Sequence, residues 1–340
     1  MQINTILLAF SAVVLYTSWI NRSVIKERDP FLAAIVFLVV LLELILLMEM
    51  TAVKGNAQSL INAYFYATAI VVVIVDVTAV MGIKLGSGER RQYLVGTKFQ
   101  LAYLHFFLAT LYMIRHSFCN LGQKKNGIGM TLLLGLTFAM SIFTDCTTGI
   151  VGAVLFVLAL QINGRYSSAC YNPFVYGSVL MASFALSFVM NILLLWEPIQ
   201  YVIVQVLDKD ITLTSRTKIF VIVPMLLRNR YLLGYGYGTT YELGRRLGGF
   251  PNTQNALWEW IWQCGILGTV LLFGLMLSIV DYATKSHKLS HDRTSKYMLV
   301  LVYLFSVLAS IEITIDISYL GYLAMLIPLT HSRQSAKMHY

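Results

Sequence analysis

The chain has 340 residues, of which 58% are hydrophobic and only 12% charged, against roughly 25% charged for an ordinary soluble domain. That gap excludes a water-soluble enzyme, and apolar runs near the roughly 20 residues needed to cross a bilayer recur from end to end, so the chain spans a membrane many times. Lysine and arginine outnumber aspartate and glutamate by 25 to 16, a net charge of +9, which in a membrane protein reads first as basic loops held at an anionic cytoplasmic face and not as a nucleic-acid surface.

In chain order, apolar segments predict spanning helices at about residues 3–20, 31–50, 64–83, 99–114, 128–143, 146–162, 174–195, 256–280, 297–311 and 315–330. The expectation is an all-α polytopic membrane protein of about ten transmembrane helices, one integrated domain over residues 1–340. The first run is followed by Asn21-Arg22-Ser23 and another long apolar run, so it is a retained helix and not a cleaved leader. Cys119, Cys146, Cys170 and Cys264 are scattered without C-x-x-C spacing, which argues against a disulfide framework or a metal knuckle. His287 and His291 lack the H-E-x-x-H pattern, so no zinc site is expected, and His105 reads as a buried polar residue.

Loop charge sets the orientation. Lys285, Lys288, Arg293 and Lys296, with Arg333 and Lys337 in the tail, place residues 281–296 and the C-terminus in the cytoplasm, and the loop 196–255 then lies outside. Counting back puts Arg115, Lys124 and Lys125 inside, as their charge demands, but it leaves two basic loops outside. One holds Arg22, Lys26 and Arg28, partly neutralised by Glu27 and Asp29; the other, 84–98, holds Lys84, Arg90, Arg91 and Lys98. Either the last cluster marks a cytoplasmic loop, or its cations are kept outside because they bind an anion, arginine forks being suited to phosphate oxygens.

The large loop carries its own pattern. Ile199, Val202, Ile203 and Val206 fall on one side of a helix too short to span, expected at the interface. A second helix is predicted to open at Thr214-Ser215, good N-cap residues, and to be kinked by Pro224. Arg216 sits in its first turn, where unpaired N–H groups already favour an anion; it is either a phosphate ligand or an interfacial arginine.

Gly234-Tyr235-Gly236-Tyr237-Gly238 is no nucleotide fingerprint, because no strand precedes it; the glycines are expected to bring the loop close to a substrate. Tyr235 and Tyr237 either stack on sugar rings or anchor at the interface. Arg245-Arg246 follow, and the amides of Gln254 and Asn255 either bind sugar hydroxyls or cap the next helix, whose Trp258, Trp260 and Trp262 read as an aromatic belt. Glu43, Glu49 and Asp76 lie in or near spans, where ionisable groups are costly and therefore functional suspects. Asp145, Asp208, Asp210 and Glu242 are the outward candidates for a general base.

In this order, Leu213-Thr214-Ser215-Arg216, Leu233-Gly234-Tyr235-Gly236, Asn252-Thr253-Gln254-Asn255-Ala256-Leu257 and Gly265-Ile266-Leu267-Gly268 resemble the O-antigen ligase and polysaccharide polymerase family. The resemblance implies a C-type glycosyltransferase bundle in a bacterial plasma membrane, with its active site in one large extracytoplasmic loop. It implies substrates carried on polyprenyl (undecaprenyl) diphosphate, no cofactor and no metal, with a chain-length regulator and a flippase as partners. Arg216 matches the arginine of the family's T/S-G-R motif, with Ser215 in place of glycine, and an earlier family arginine falls on Arg91 or Arg90. Gln254 replaces the histidine that ligases carry, which favours a polymerase over a lipid A–core ligase.

The expected reaction is inverting transfer of a growing glycan from its lipid diphosphate to a hydroxyl of a new lipid-linked repeat unit. Arg216 and Arg91 would stabilise the departing diphosphate and Glu242 would act as base. Arg90, Lys98, Thr214, Tyr235, Tyr237, Arg245, Arg246, Gln254 and Asn255 would bind substrate. A ligase of the same family, and a flippase or proton-coupled transporter using Glu43, Glu49 and Asp76, are the alternatives.

Overall fold

The computed structural model describes residues 2–83, 92–118, 123–193, 196–201, 204–205, 216–290 and 294–331. Among them the chain is all-α, with no strand and one isolated bridge, Tyr93 to Gly96. The helices are α1 (Gln2–Ile20), α2 (Pro30–Val53), α3 (Ala57–Val80), α4 (Lys98–Phe118), α5 (Gln123–Phe143), α6 (Thr147–Cys170) and α7 (Pro173–Leu193). After them come α8 (Glu197–Tyr201), α9 (Arg216–Leu227), α10 (Thr240–Gly248), α11 (Ala256–Ser290), α12 (Ser295–Leu308), α13 (Ile317–Ala324) and α14 (Leu326–His331).

Five stretches are long and apolar enough to cross a membrane: Ile3–Ile20, Pro30–Val53, Ala57–Val80, Thr147–Tyr166 and Ala256–Ser286. Between 22% and 33% of the first four is buried, and large apolar side chains such as Leu8, Val53 and Ile70 are more than 60% exposed. Apolar faces of that extent are stable against lipid and not against water, which makes the chain compatible with a multi-pass membrane protein. By contrast 56% of the α11 stretch is buried, so α11 is a packing centre.

Contacts divide the chain into two compact units. The unit made of Leu47–Tyr171, Ala283–Leu304 and Met325–Tyr340 is built on α3 against α4, α4 against α5 and α5 against α6. Val75, Ala79, Leu101 and Met140 form its local core under Tyr93 and Val95.

The unit made of Met1–Leu46, Asn172–Tyr282 and Phe305–Ala324 holds the described part of the large loop, which is folded. Ile219, Phe220, Val223 and Leu227 of α9 bury against Leu243 of α10, Phe250, and Trp258, Ile261 and Trp262 of α11, with Ile25 closing the cluster. α9 runs in helical conformation through Pro224, and the Tyr231 and Tyr235 hydroxyls donate to the Pro224 and Leu226 carbonyls at 3.0 and 2.7 Å, satisfying carbonyls at its C-terminal end. The tryptophans expected as an interfacial belt instead point inward, at 0% to 5% exposure, because α9 and α10 cover Trp258 and Trp262 while Phe10 of α1 and Phe37 of α2 pack on Trp260.

Candidate functional site

α11 is broken at Gly265, which takes φ 67° and ψ −176° inside the helix. The break leaves backbone groups without their usual partners, and where these are buried they must be met by protein. Residues 231–236 meet them: Tyr235 N–H donates to the Trp262 carbonyl at 2.7 Å and Gly236 N–H to the Gln263 carbonyl at 3.0 Å. Beyond the break, Ile266 N–H donates to the Tyr231 carbonyl at 2.7 Å.

Glycine makes the approach possible on both sides. Gly234 has φ 70°, and a Cβ there would stand 2.5 Å from the Trp262 carbonyl oxygen; one at Gly265 would collide with the Leu232 carbonyl. The glycine run expected to approach a substrate thus approaches α11, because the broken helix offers unpaired backbone groups there.

The docked arm places its two tyrosines differently. Tyr235 lies 4.9 Å centroid to centroid from Trp262, with the Arg230 guanidinium 5.8 Å from its ring centre, so its ring is engaged within the protein. Tyr237 stacks on Phe37 at 4.5 Å, with Trp260 at 6.3 Å, yet stays half-buried. Burial, then the carboxylates of Asp316 and Glu259, push the Tyr237 phenol far above its ordinary pKa.

Of these two carboxylates, Glu259 lies in the first turn of α11 and Asp316 just before α13. Glu259, 7% exposed, accepts from the Gln263 amide at 2.8 Å and from the Thr253 hydroxyl at 2.9 Å. The Thr253 hydroxyl is also 2.9 Å from the Asn255 carbonyl, so one proton serves two acceptors. Thr240, 4% exposed, brings its hydroxyl toward Glu259 without completing a hydrogen bond of good geometry to any described residue. Asp316 caps α13, accepting from Tyr319 N–H at 3.0 Å, and is half-buried; the Trp260 indole donates to the neighbouring Ile315 carbonyl at 2.8 Å. Among the described residues neither Glu259 nor Asp316 has a basic side chain within ion-pair distance.

Several expected site residues have structural duties. Asn255 accepts from Trp258 N–H at 3.1 Å and donates to the Ser310 carbonyl at 3.0 Å, so its amide caps α11 and ties it to the turn before α13. Gln254 holds the left-handed φ of 56° in that turn, its N–H donating to Asn252 at 3.1 Å. The Arg245 guanidinium lies 4.4 Å over the Tyr241 ring, and Arg246 donates to the Val24 carbonyl at 2.8 Å. Lys98 donates to the Asp145 carbonyl at 2.6 Å and lies 3.6 Å from its carboxylate. Arg90, Arg91 and Thr214 lie outside the described residues; the backbone of Arg216 opens α9, and its side chain is likewise outside them.

Glu242, expected to be the base, is instead a clasp. Its two oxygens accept from the backbone N–H groups of Lys26 and Glu27 at 2.8 and 2.9 Å, and these bonds hold its carboxyl below the ordinary glutamate pKa. A carboxylate so stabilised is a weak proton acceptor. Glu242→Gln is expected to lower the melting temperature in detergent. With the folded pKa depressed, this stabilisation is present above the unfolded value of about 4.3 and is lost as pH falls through the folded one. Melting curves of the two proteins should therefore converge in acid; a gap independent of pH would contradict the clasp.

Of the carboxylates in spans, Glu43 is exposed and Glu49 half-buried. Asp76 in α3 faces His105 in α4, Oδ2 to Nε2 at 3.1 Å, while His105 Nδ1 bonds the Leu101 carbonyl at 2.9 Å. A carbonyl only accepts, so Nδ1 carries its hydrogen and the Asp76–His105 contact holds one further proton, on ring or carboxyl. Asp76 Oδ1 is buried with no hydrogen-bond partner among the described residues.

Sequence reasoning passed over Glu259 and Asp316. The first is hidden among three tryptophans, and the second stands at the edge of an apolar run; the available signal was a carboxylate at the N-terminal end of each of two apolar helices. In comparison with known proteins, no family model matches this chain and no curated sequence matches it.

Proposed function

We propose that this chain is a bacterial plasma-membrane glycosyltransferase that polymerises oligosaccharide repeat units carried on polyprenyl diphosphate, at the extracytoplasmic face. The reading takes the bundle as about ten spans with 196–255 as the outward loop. The observation that carries it is the meeting of separated motif segments. Residues 231–236 are hydrogen-bonded to 261–267, the Asn255 cap opens the same helix, and α9, which begins at Arg216, packs onto its Trp258 and Trp262. A helix start bearing an arginine, fixed on such a platform, suits a leaving diphosphate, where charge grows without a metal.

The test is direct. Purified protein incubated with defined lipid-linked repeat units, without nucleotide or divalent ion, should yield a ladder of longer lipid-linked glycans. Dependence on a sugar nucleotide, or no ladder at all, would remove the proposal.

The Asp76–His105 pair favours a second reading, proton-coupled movement of a lipid-linked oligosaccharide. Under the polymerase reading Asp76→Asn retains more than about half of polymerising activity, since one hydrogen-bonding amide replaces the carboxylate. Loss of pH-driven substrate movement in Asp76→Asn proteoliposomes, with no ladder from wild type, would favour transport.

A further inference from the structure

We propose that the turn between α1 and α2, joined to the end of α9 and to α10, is a docking surface for the headgroups of anionic phospholipids. Nothing in it depends on glycosyl transfer. Segments far apart in the chain are tied together there. Glu242 holds the backbone of Lys26 and Glu27, Arg246 donates to the Val24 carbonyl at 2.8 Å, Arg230 donates to the Asn21 side-chain oxygen at 3.3 Å, and Tyr237 N–H donates to the Ser18 hydroxyl at 3.0 Å. Residues bonded in this way lie on one side of any bilayer, so the basic turn after α1 shares its side with residues 228–246.

The charge gathered there is one-sided. Arg22, Lys26 and Arg28 of the turn meet Arg228 and Arg230 after α9 and Arg245 and Arg246 of α10; all seven are exposed, against three carboxylates, Glu27, Asp29 and Glu242. Four of the cations are held by protein: Arg22 by Asp29 at 2.8 Å, Arg245 over the Tyr241 ring, and Arg230 and Arg246 by the bonds just given. The side chains of Lys26, Arg28 and Arg228 make no hydrogen bond and no ion pair among the described residues, and their charge is open to an anion from outside.

The neighbouring surface says which anion. Trp19 and Ile20 at the end of α1 and Leu32 at the start of α2 are exposed, and the Arg22 guanidinium rests 4.9 Å from the Trp19 ring centre and 5.4 Å from that of Phe31. Met225, Leu232 and Leu247, each within three residues of one of the arginines, are exposed as well. Cations bordered by exposed apolar and aromatic side chains, where two helices long and apolar enough to span a bilayer end and begin, match the level at which acyl chains give way to phosphates. A soluble anion would have a use for the charge and none for the apolar border.

The test uses the full-length chain in phosphatidylcholine bilayers, with Trp19 as the local reporter. A minor fraction of phosphatidylglycerol with brominated acyl chains is included, or brominated phosphatidylcholine in equal amount, and the quenching that disappears in Trp19→Phe is the Trp19 signal. Phosphatidylglycerol is expected to quench that signal as though enriched by about fivefold or more, the gain from a single basic side chain near an anionic surface. Roughly 0.5 M salt should shrink the excess. In Lys26→Gln/Arg28→Gln/Arg228→Gln the excess should vanish while the melting temperature holds, since none of the three side chains is bonded within the fold. Equal quenching by the two lipids in the wild type, a wild-type excess in the triple variant, or an excess indifferent to salt overturns the proposal. So does its loss at constant ionic strength to oligogalacturonate, which would give the face to an acidic glycan, or to inorganic phosphate, which would give it to a soluble anion. A ladder of glycans, formed or not, decides the polymerase reading and leaves this result as it stands.

Discussion

Arg216→Ala is expected to abolish polymer while the protein still inserts and folds. The residue opens α9, and that helix is held by Ile219, Phe220, Val223 and Leu227, none of which depends on a charge at the first position. Under the polymerase reading, what the substitution removes is the guanidinium proposed to meet the leaving diphosphate at the start of that helix. Loss of one preorganised contact of this kind costs about 3–4 kcal/mol of barrier, roughly a hundredfold to a thousandfold in rate. Arg216→Lys is expected to fail as well, since an ammonium cannot offer two parallel N–H bonds to phosphate oxygens. Cells carrying either variant should accumulate single lipid-linked repeats. Near wild-type chain lengths in Arg216→Ala cells would refute the assignment.

The second large effect is structural. Gly265→Ala is expected to destabilise the protein by on the order of 3 kcal/mol or more, enough to lower its yield in membranes sharply. The position needs φ 67°, and a Cβ would run into the Leu232 carbonyl, part of the backbone that completes the broken helix. Neither side can yield without breaking the bonds from Tyr235 and Ile266 N–H. Gly55 supplies the control: it has φ 67° too, but a Cβ there meets nothing within 4 Å, so Gly55→Ala should cost only about 1 kcal/mol. Equal melting shifts in the two variants would show that the collision is relieved by some other movement.

Much of the helical frame was legible because a run of apolar residues near 20 long has few fates besides a span. The pieces that give the large loop its form were not. α10 (Thr240–Gly248) contains two glycines and two arginines and reads as coil. It becomes a helix because Leu243 finds Trp262 and its neighbours, a long-range term that local pattern does not carry. The same limit explains Glu242, whose type suited a base until the backbone of Lys26 and Glu27 claimed it. Likewise the glycine–tyrosine alternation from Gly234 to Gly238 announced a close approach without saying to what. Asp316 and Tyr237 are 79 positions apart, and only folding lets the charge of one bear on the phenol of the other.

The interruption at Gly265 also bears on how this loop can be exchanged. Residues 231–236 complete the hydrogen bonding of 261–267 by backbone atoms alone, so the pairing is blind to most side chains but strict about geometry. A graft of residues 231–236 from another protein would bring its own side chains yet arrive with mismatched stitching, unless the matching stretch of helix came with it. Swapped together, the two strips form a portable cassette, and under the polymerase reading their joint transfer is where a redesign of glycan preference should begin.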